Sequence, residues 1–386
     1  MKNVPMRQYR FSASTDAREK VENRILRELS MDARKSLSSI AGDTGISKTT
    51  VFNELNRLIS EKEISFVPEI NLEDMWRHEM LYTTKRMQKR DFRDLDIHSV
   101  GFSEYIGFVK FIGRKPSDSE IVKAVSSFYN PQNICGLHGR YDMFMYLVAR
   151  SNIELNAFLG AFCKSLKGYR MKIRVKPILR THGFFPLRNA LINQFKIPEK
   201  YKKLLIALND DARGQLSKND ELDKTTATYI YKILLEYGIV RRTTLHMRNS
   251  GKAFTGLITY SVVNNELYQR NMHLWCDHIA KLDERMGFYT FMAETSDPYG
   301  GFAIINARNA EYFNSIKKSI EGMNLGIKMG ILIVTNTTLG NIGIRNFDMR
   351  YSKHYELLEG QGLMPRIERT QFARAKRRRG PVYIEM

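Results

Sequence analysis

The sequence is poor in the residues that build disulfide frameworks and membrane spans. Its 386 residues include only three cysteines, Cys135, Cys163 and Cys276, and no C-x-x-C pair. An odd number of scattered cysteines indicates reduced thiols, so we expect an intracellular, cytoplasmic protein. No run approaches the ~20 apolar residues that span a bilayer, and no apolar segment after Met1 suggests a secretory leader. We therefore expect no membrane contact.

Well-known catalytic and nucleotide-binding motifs are also missing. The sequence contains no G-x-x-x-x-G-K-[ST], no G-x-G-x-x-G, no H-E-x-x-H and no G-x-S-x-G. His273, Cys276 and His278 cluster on a predicted helix, but two ligands on one face do not make a zinc site. From these absences we predict no metal, no cofactor and no enzymatic activity.

Acidic residues are in short supply relative to basic ones. Asp and Glu number 41 against 61 Lys and Arg, which gives a formal net charge of +20. Such a surplus disfavours the compact state through self-repulsion and suggests a polyanionic partner. The length predicts two to four domains at about 100–200 residues each. With membranes disfavoured, we expect nucleic acid to be the partner.

Residues 16–70 predict a winged helix-turn-helix. Ser36 is the expected N-cap of a short second helix, and Gly45 can end that helix in the left-handed conformation. Ser47 can then cap a third helix. A short glycine-containing turn between two helices is the helix-turn-helix pattern. A strand is expected at Ile64–Ile70, where a wing would lie.

The third helix, residues 48–62, is predicted to have a core face and a DNA-reading face. Its apolar residues recur at i, i+4 and i+7 and face the core: Val51, Leu55 and Leu58. Its opposite face carries polar side chains that suit base edges: Thr49, Asn53, Asn56 and Arg57. Its N-terminus offers free N–H groups and three side chains to phosphates: Ser47, Lys48 and Thr50. We predict base contacts from Thr49, Asn53 and Arg57.

Residues 99–182 predict an αβ sandwich. Strand and helix patterns alternate in the order βαββαβ, which is the ferredoxin-like arrangement. Residues 143–148 form an almost continuous apolar run, as expected for a strand buried on both faces. Residues 172–176 alternate like a half-buried strand. The preceding segment, 71–98, is predicted to be a linker or hinge helix that covers its own domain or packs on a partner.

These segments resemble the Lrp/AsnC (feast/famine) family of regulators. The residues that carry the resemblance are Asp32-Ala33-Arg34, Ile40-Ala41, Gly45-Ile46-Ser47-Lys48-Thr49-Thr50-Val51, Leu55, Arg57-Leu58, Ile64 and the hairpin Gly139-Arg140-Tyr141-Asp142. The resemblance implies a DNA-reading winged helix-turn-helix followed by a dimerising, effector-binding RAM domain. It also implies that a small ligand, often an amino acid, binds near Gly139, Tyr141 and Asp142. A plain hairpin turn is the alternative.

The second half of the sequence repeats the first. Asp211-Ala212-Arg213 echoes Asp32-Ala33-Arg34, residues 222–227 echo 46–51, and residues 299–308 align with 141–150. We therefore predict an α+β fold in which a winged helix-turn-helix plus a ferredoxin-like αβ sandwich (βαββαβ) occurs twice. The second copies are placed at residues 197–248 and 250–340, and the closing strand of the second sandwich is expected at residues 328–334.

The second helix-turn-helix is predicted to be partly degenerate, because its third helix is apolar on more than one face. It either contacts DNA through Lys224, Thr225 and Thr226 or packs against protein. The two sandwiches could pair within one chain as a pseudo-dimer, or chains could form a homo-oligomer. A two-fold arrangement sets half-site spacing, so pseudo-palindromic operators are expected.

The last predicted unit is a basic tail at residues 364–386. Its cationic run, which includes Arg377 and Arg378, is typical of interaction tails, and we expect it to contact DNA without sequence preference.

We predict a sequence-specific regulator of transcription that binds double-stranded DNA and responds to a small-molecule effector. Two alternatives stay open. One is an architectural protein that binds DNA without sequence preference. The other is an enzyme resembling the siroheme decarboxylases on the same fold, which would set His138 and Arg140, or His246 and Arg248, against carboxylates. The basic tail and the polar third helix favour the regulator.

Overall fold

A computed structural model describes residues 21–22, 24–29, 32–60, 64–87, 101–183, 186–214, 222–247, 254–281, 287–296, 300–307 and 309–339. The predicted tail with Arg377 and Arg378, and also Arg248, lies outside these residues. Within them, no helix combines the length and the apolar character that crossing a membrane needs.

The first winged helix has the predicted layout. Residues 24–29 are helical and are followed by α1 (Leu37–Thr44), α2 (Lys48–Ser60) and β1 (Ile64–Ile70). The Ser36 side chain accepts the Ser39 N–H at 3.1 Å, and Gly45 ends α1 at φ 68°. Ser47 accepts the Thr50 N–H at 3.1 Å, so all three predicted caps are present.

The first sandwich follows a long connecting helix. The elements are α3 (Leu72–Met87), β2 (Ser103–Ile112), α4 (Asp118–Val125), β3 (Pro131–His138), β4 (Met143–Ala149), α5 (Asn152–Ser165) and β5 (Arg170–Gly183). From β2 to β5 the order is βαββαβ, as predicted. Both helices of this unit cover one face of its sheet, around Phe158 and Phe162.

A similar order of elements recurs in the second half, without a counterpart of α3 among the described residues. The elements are α6 (Asn189–Ile192), α7 (Glu199–Asp210), α8 (Lys224–Glu236), β6 (Val240–Met247), β7 (Phe254–Val262), α9 (Asn265–Lys281), β8 (Gly287–Thr295), β9 (Gly300–Ala307), α10 (Ala310–Gly322) and β10 (Ile327–Leu339). The predicted fold class, a mixed α+β protein, is confirmed. The second helix predicted for the second helix-turn-helix would include residues 218–221, which lie outside the described residues.

The two sheets join into one closed barrel with the strand order β10-β3-β4-β2-β5-β8-β9-β7. The closure depends on β5 and β10, which both continue past the residues predicted for them, 172–176 and 328–334. The added part of β5, from Ile178 to Gly183, pairs with β8. The added part of β10, up to Leu339, pairs with β3. Both extensions are stabilised by backbone hydrogen bonds from the other half of the chain, which local sequence patterns do not reveal.

The barrel interior is packed with aromatic rings from both halves. Phe144 and Phe302 occupy equivalent positions in the repeat, and their ring centroids lie 5.5 Å apart in an edge-to-face contact. Phe291 stands 5.5 Å from Phe302. Helices α7 and α8 of the second winged helix bury Leu204 and Leu234 in this same core. Barrel and second winged helix therefore share one hydrophobic core.

Candidate nucleic-acid interface

The two wings pair with each other. Strands β1 and β6 form a two-stranded antiparallel sheet in which Val67 faces Thr244 and Pro68 faces Thr243. Continuing the alignment of residues 46–51 with 222–227 without a gap makes Val67 equivalent to Thr243 and Pro68 equivalent to Thr244. Equivalent residues thus exchange partners, and the two winged helices are related by a local two-fold axis through the wing sheet.

A pair of equivalent arginines closes this arrangement. The Nη1 of Arg34 donates to the carbonyl oxygen of Ala212 at 2.7 Å, and the Nη1 of Arg213 donates to the carbonyl oxygen of Ala33. Both alanines are fully buried. Hydrogen bonds from a charged donor are stronger than neutral ones, so the two arginines clamp the winged helices together. The echo of Asp-Ala-Arg marked the repeat in the sequence, but the pattern did not indicate this role.

Helix α2 presents an open outward side. Val51, Leu55 and Leu58 are buried as predicted. The exposed residues include all but one of the predicted DNA contacts on this helix: Lys48, Thr49, Thr50, Asn53 and Asn56. Phe52, which sequence reasoning missed, is 50% exposed. The polar side of α2 is therefore accessible to a duplex groove.

Arg57 is engaged with carboxylates in this structure. Its Nη2 lies 2.6 Å from Glu54 Oε1 and 3.1 Å from Glu22 Oε2. The Glu54 side chain is only 10% exposed, and a carboxylate so far from water needs a cation beside it. A base contact by Arg57 would break these ion pairs. The geometry favours a bracing role for this arginine.

The N-terminus of α2 has a compact polar arrangement. The Ser47 hydroxyl lies 2.8 Å from the Thr50 hydroxyl and also accepts the Thr50 N–H. Ser47, Lys48 and Thr50 are all exposed. The helix dipole and the side-chain ammonium add positive potential there, which suits a phosphate.

Helix α8 also has an accessible outward side. Asp223 caps it by accepting the Thr226 N–H at 2.8 Å, and hydrogen bonds from Thr226 lower the pKa of the Asp223 carboxyl. Lys224 and Thr225 are exposed, and Thr226 is half-buried. Tyr229 is 65% exposed. Packing against protein, one of the two predictions for this helix, does not cover these residues.

The predicted effector hairpin brings its residues together around Asp142, whose side chain is only 4% exposed. Asp142 accepts the Phe111 N–H at 2.8 Å and lies 2.7 Å from Lys115 and 3.2 Å from Lys110. Burial raises the pKa of this carboxyl, but the hydrogen bonds from Lys115, Phe111 and Lys110 outweigh it and leave the pKa below its usual value. Asp142 thus anchors the hairpin to β2.

Two other residues of the hairpin, Gly139 and Tyr141, lie close to neighbouring elements. Gly139 has φ 133°, and a Cβ there would lie 3.0 Å from the Leu332 side chain of the second half. The Tyr141 ring stacks on Phe108 with centroids 4.8 Å apart. Effector binding at Gly139, Tyr141 and Asp142 stays a prediction, and any ligand there would meet a hairpin whose carboxylate is already paired.

The residues considered for a decarboxylase lie in two different places. His138 and Arg140 are both exposed, at the end of β3 and just beyond it. The Arg140 guanidinium stands 5.6 Å from the centre of the Tyr141 ring. His246 lies in the wing sheet opposite Ser65 rather than on a sandwich. Among the described residues, no group of three or more His, Cys, Asp or Glu side chains is placed to hold a metal ion.

No protein-family model matches the chain, and no curated protein matches it significantly. Solved structures do match. The siroheme decarboxylase NirDL is 11% identical, with 89% of this chain and 99% of that chain covered and a TM-score of 0.48. The leucine response regulatory protein of Mycobacterium tuberculosis is 15% identical, with 40% of this chain and 89% of that chain covered and a TM-score of 0.29. The regulator NMB0573 of Neisseria meningitidis, solved with L-Met, is 13% identical, with 42% and 89% covered and a TM-score of 0.28.

These likenesses concern the fold alone, and they correct one prediction. The prediction of no enzymatic activity, which was drawn from missing motifs, is wrong, because the structures that match nearly the whole length of this chain are of an enzyme, NirDL. Missing motifs exclude only the classes of enzyme that carry those motifs.

Proposed function

We propose that the protein is a DNA-binding regulator of transcription in which one chain supplies both winged helices of a two-fold DNA-reading unit. The observation that carries this proposal is the outward side of α2. Thr49, Asn53 and Asn56 are exposed there, next to an N-terminus formed by Ser47 and Lys48. The positive net charge of the chain, +20, supports attraction to a polyanion.

Each group on α2 has a defined chemical role in this proposal. An asparagine amide can donate and accept at once, and this matches the N6 and N7 of adenine in the major groove. Asn53 and Asn56 are assigned to such base contacts, and Thr49 to a base edge beside them. Ser47, Lys48 and Thr50 hold a phosphate at the helix N-terminus, which fixes the register of the helix on the duplex.

The test is selection of binding sites from random double-stranded DNA, followed by fluorescence anisotropy at several salt concentrations. The wild type is expected to enrich a defined sequence. Asn53→Ala combined with Asn56→Ala should relax base preference, at ~1–3 kcal/mol for each lost bidentate contact. The matched control is Lys164→Ala, which changes an exposed residue on α5 of the first sandwich. An unchanged preference in the double variant would contradict the assignment.

Enrichment of DNA without any defined sequence would instead indicate an architectural protein. In that case the double variant and Lys164→Ala would each bind all duplexes with similar affinity, and this affinity would depend steeply on salt. The selection therefore separates specific from non-specific binding in one experiment.

Regulation by a small effector at the β3–β4 hairpin belongs to the same proposal. The hairpin meets the second half at Leu332, so a ligand there would touch both halves of the barrel. Thermal unfolding with each common amino acid is the direct test. A binding amino acid should raise the melting temperature and change DNA affinity, and Tyr141→Leu should weaken both effects. If the amino acid raises the melting temperature and changes the DNA affinity of Tyr141→Leu as much as those of the wild type, it binds elsewhere.

Siroheme decarboxylation is a second candidate function. The observation on this chain that favours it is the pair His138 and Arg140, both exposed where β3 pairs with β10 to close the barrel. An imidazole can move a proton, and a guanidinium can bind a carboxylate in bidentate fashion. Mixing the protein with siroheme and following its absorption spectrum and the released carbon dioxide tests this function. Activity that survives in both His138→Ala and Arg140→Ala would remove these residues from it.

A further inference from the structure

We infer that the chain recognises an asymmetric DNA site made of two unlike half-sites, so that it binds a duplex in one orientation only. This inference rests on the proposed DNA-binding function and goes beyond it by naming the kind of site. It replaces the pseudo-palindromic operator that the sequence repeat alone suggested.

The first step is that both third helices expose the same positions. The ungapped alignment that relates Val67 to Thr243 also relates α2 to α8. The buried positions correspond, with Val51 matching Ala227 and Leu58 matching Leu234. The exposed positions correspond in the same way, because both helices turn the same side to the core.

The second step is that the exposed side chains differ. Thr49 has a threonine as its counterpart, Thr225. Asn53 is replaced by Tyr229, and Asn56 is replaced by Lys232, and all four of these residues are exposed. Two positions that would read bases therefore carry different chemistry in the two halves.

The third step is what this chemistry prefers. Asparagine amides fit adenine, so α2 is expected to favour A·T pairs. The Lys232 ammonium donates to the O6 and N7 of guanine, and the Tyr229 ring offers an apolar surface to a thymine methyl group. Helix α8 is therefore expected to favour a half-site that contains a G·C pair.

The last step is that the two helices cannot exchange places. Reciprocal bonds from Arg34 and Arg213 to the facing alanine carbonyls fix each winged helix against the other. A homodimer with identical helices reads the same half-site twice. This chain presents two different helices in a fixed order, which gives its binding site a direction.

The experiment is site selection from random DNA with the wild type and three variants. The wild type should enrich two unlike halves. Asn53→Ala with Asn56→Ala should weaken discrimination at one half by roughly 30-fold or more in affinity, and Tyr229→Ala with Lys232→Ala should relax only the other half. The third variant, Asn53→Tyr with Asn56→Lys, makes the outward side of α2 like that of α8 and should shift selection towards a palindrome. Lys164→Ala is the control.

Each outcome separates the two levels of the proposal. A palindromic site for the wild type, or loss of the same half in both alanine variants, would overturn the inference and leave the regulator function intact. No effect of the Tyr229 and Lys232 changes would also overturn it. Failure of the wild type to enrich any sequence would count against the proposed function itself. Circular dichroism checks folding, and all four substituted residues are exposed.

Discussion

The two winged helices differ in how they are built into the molecule. The first keeps a core of its own, formed by the helix at residues 24–29, α1, α2 and β1, with Ala212 as its contribution from the second half. The second shares the barrel core, where Leu204, Ile230 and Leu234 join the aromatic residues of the sheets. The first winged helix is thus attached mainly through its wing, while the second is part of the central body.

The connecting segments explain this difference. Helix α3 links the second winged helix to the first sandwich: the Asn71 N–H donates to the Ile239 carbonyl at 2.8 Å. Farther along α3, the buried Glu79 carboxylate accepts from Arg150 at 3.0 Å and from the Lys196 N–H at 3.0 Å. From these contacts we expect the second winged helix to open only together with the barrel. We expect the first winged helix to open by itself at a lower free energy.

The largest expected effect comes from the equivalent phenylalanines of the barrel. Phe144→Ala and Phe302→Ala should each lower the free energy of unfolding by ~3–5 kcal/mol, because each leaves a cavity in the shared core. Chemical denaturation measures this loss, and Phe52→Ala at a half-exposed position is the control. In both variants, hydrogen exchange should show that the backbone amides of the second winged helix lose protection together with those of the barrel. An equal loss of protection in both winged helices would contradict the difference described between them.

The arginine clamp should show the next largest effect. Arg34→Ala and Arg213→Ala each remove a charged donor from a buried carbonyl, at ~1.5–3 kcal/mol. Burial lowers the pKa of Arg213, and this residue also stands over the Phe66 ring at 5.5 Å. We expect the Arg213 variant to lose protection from hydrogen exchange in the first winged helix while the barrel stays protected. Loss of barrel protection would mean that the first winged helix is not a separate unit.

The hairpins of the two sandwiches should differ in their response to acid. Asp142 has Gly300 as its counterpart, and its folded pKa is below the ordinary value of 3.8. The stabilisation of the folded state by the ionised Asp142 carboxylate is therefore complete above about pH 4. It is lost as the pH falls through the lowered pKa of the folded state. Asp142→Asn should cost about 1–2 kcal/mol at neutral pH by leaving the Phe111 N–H with a poorer partner. The difference in free energy of unfolding between the wild type and Asp142→Asn should become smaller in acid. A difference that does not change with pH would contradict this account.

The smallest effect is expected at Arg57, whose counterpart in α8 is Ile233. Arg57→Ala leaves Glu54 without its cation and should lower stability by about 1 kcal/mol, since the pair is partly solvated. Because the guanidinium is held by carboxylates, base preference should be retained while affinity for all duplexes falls. If Arg57→Ala changes the base that is selected at one position of the site, Arg57 contacts a base after all.

The parts of the molecule that follow from neighbouring residues could be predicted from the sequence. The caps at Ser36, Gly45 and Ser47 depend on side chains and backbone within a few residues, and all were predicted. The carboxylates around Arg57 were not predicted: Glu22 lies outside that helix, whereas Glu54 lies three residues away in the same helix and its spacing could have indicated the ion pair. The Lys110 and Lys115 partners of Asp142 were missed because they are far from it in the sequence.

The barrel seams required information that no local pattern contains. The predicted strands β5 and β10 ended earlier than the observed ones, because their last residues pair only with strands of the other half. The sequence repeat indicated that two similar units exist, yet it did not show whether they meet within one chain. Their mutual fit depends on contacts such as Phe144 with Phe302.

The wing sheet has a consequence for how the protein behaves at low copy number. Its two strands, β1 and β6, belong to one polypeptide, so the tether keeps them at a high effective concentration. Subunits held only by non-covalent contacts separate on dilution and lose their pairing. Here the pairing is intramolecular, so the two winged helices should stay paired at any protein concentration.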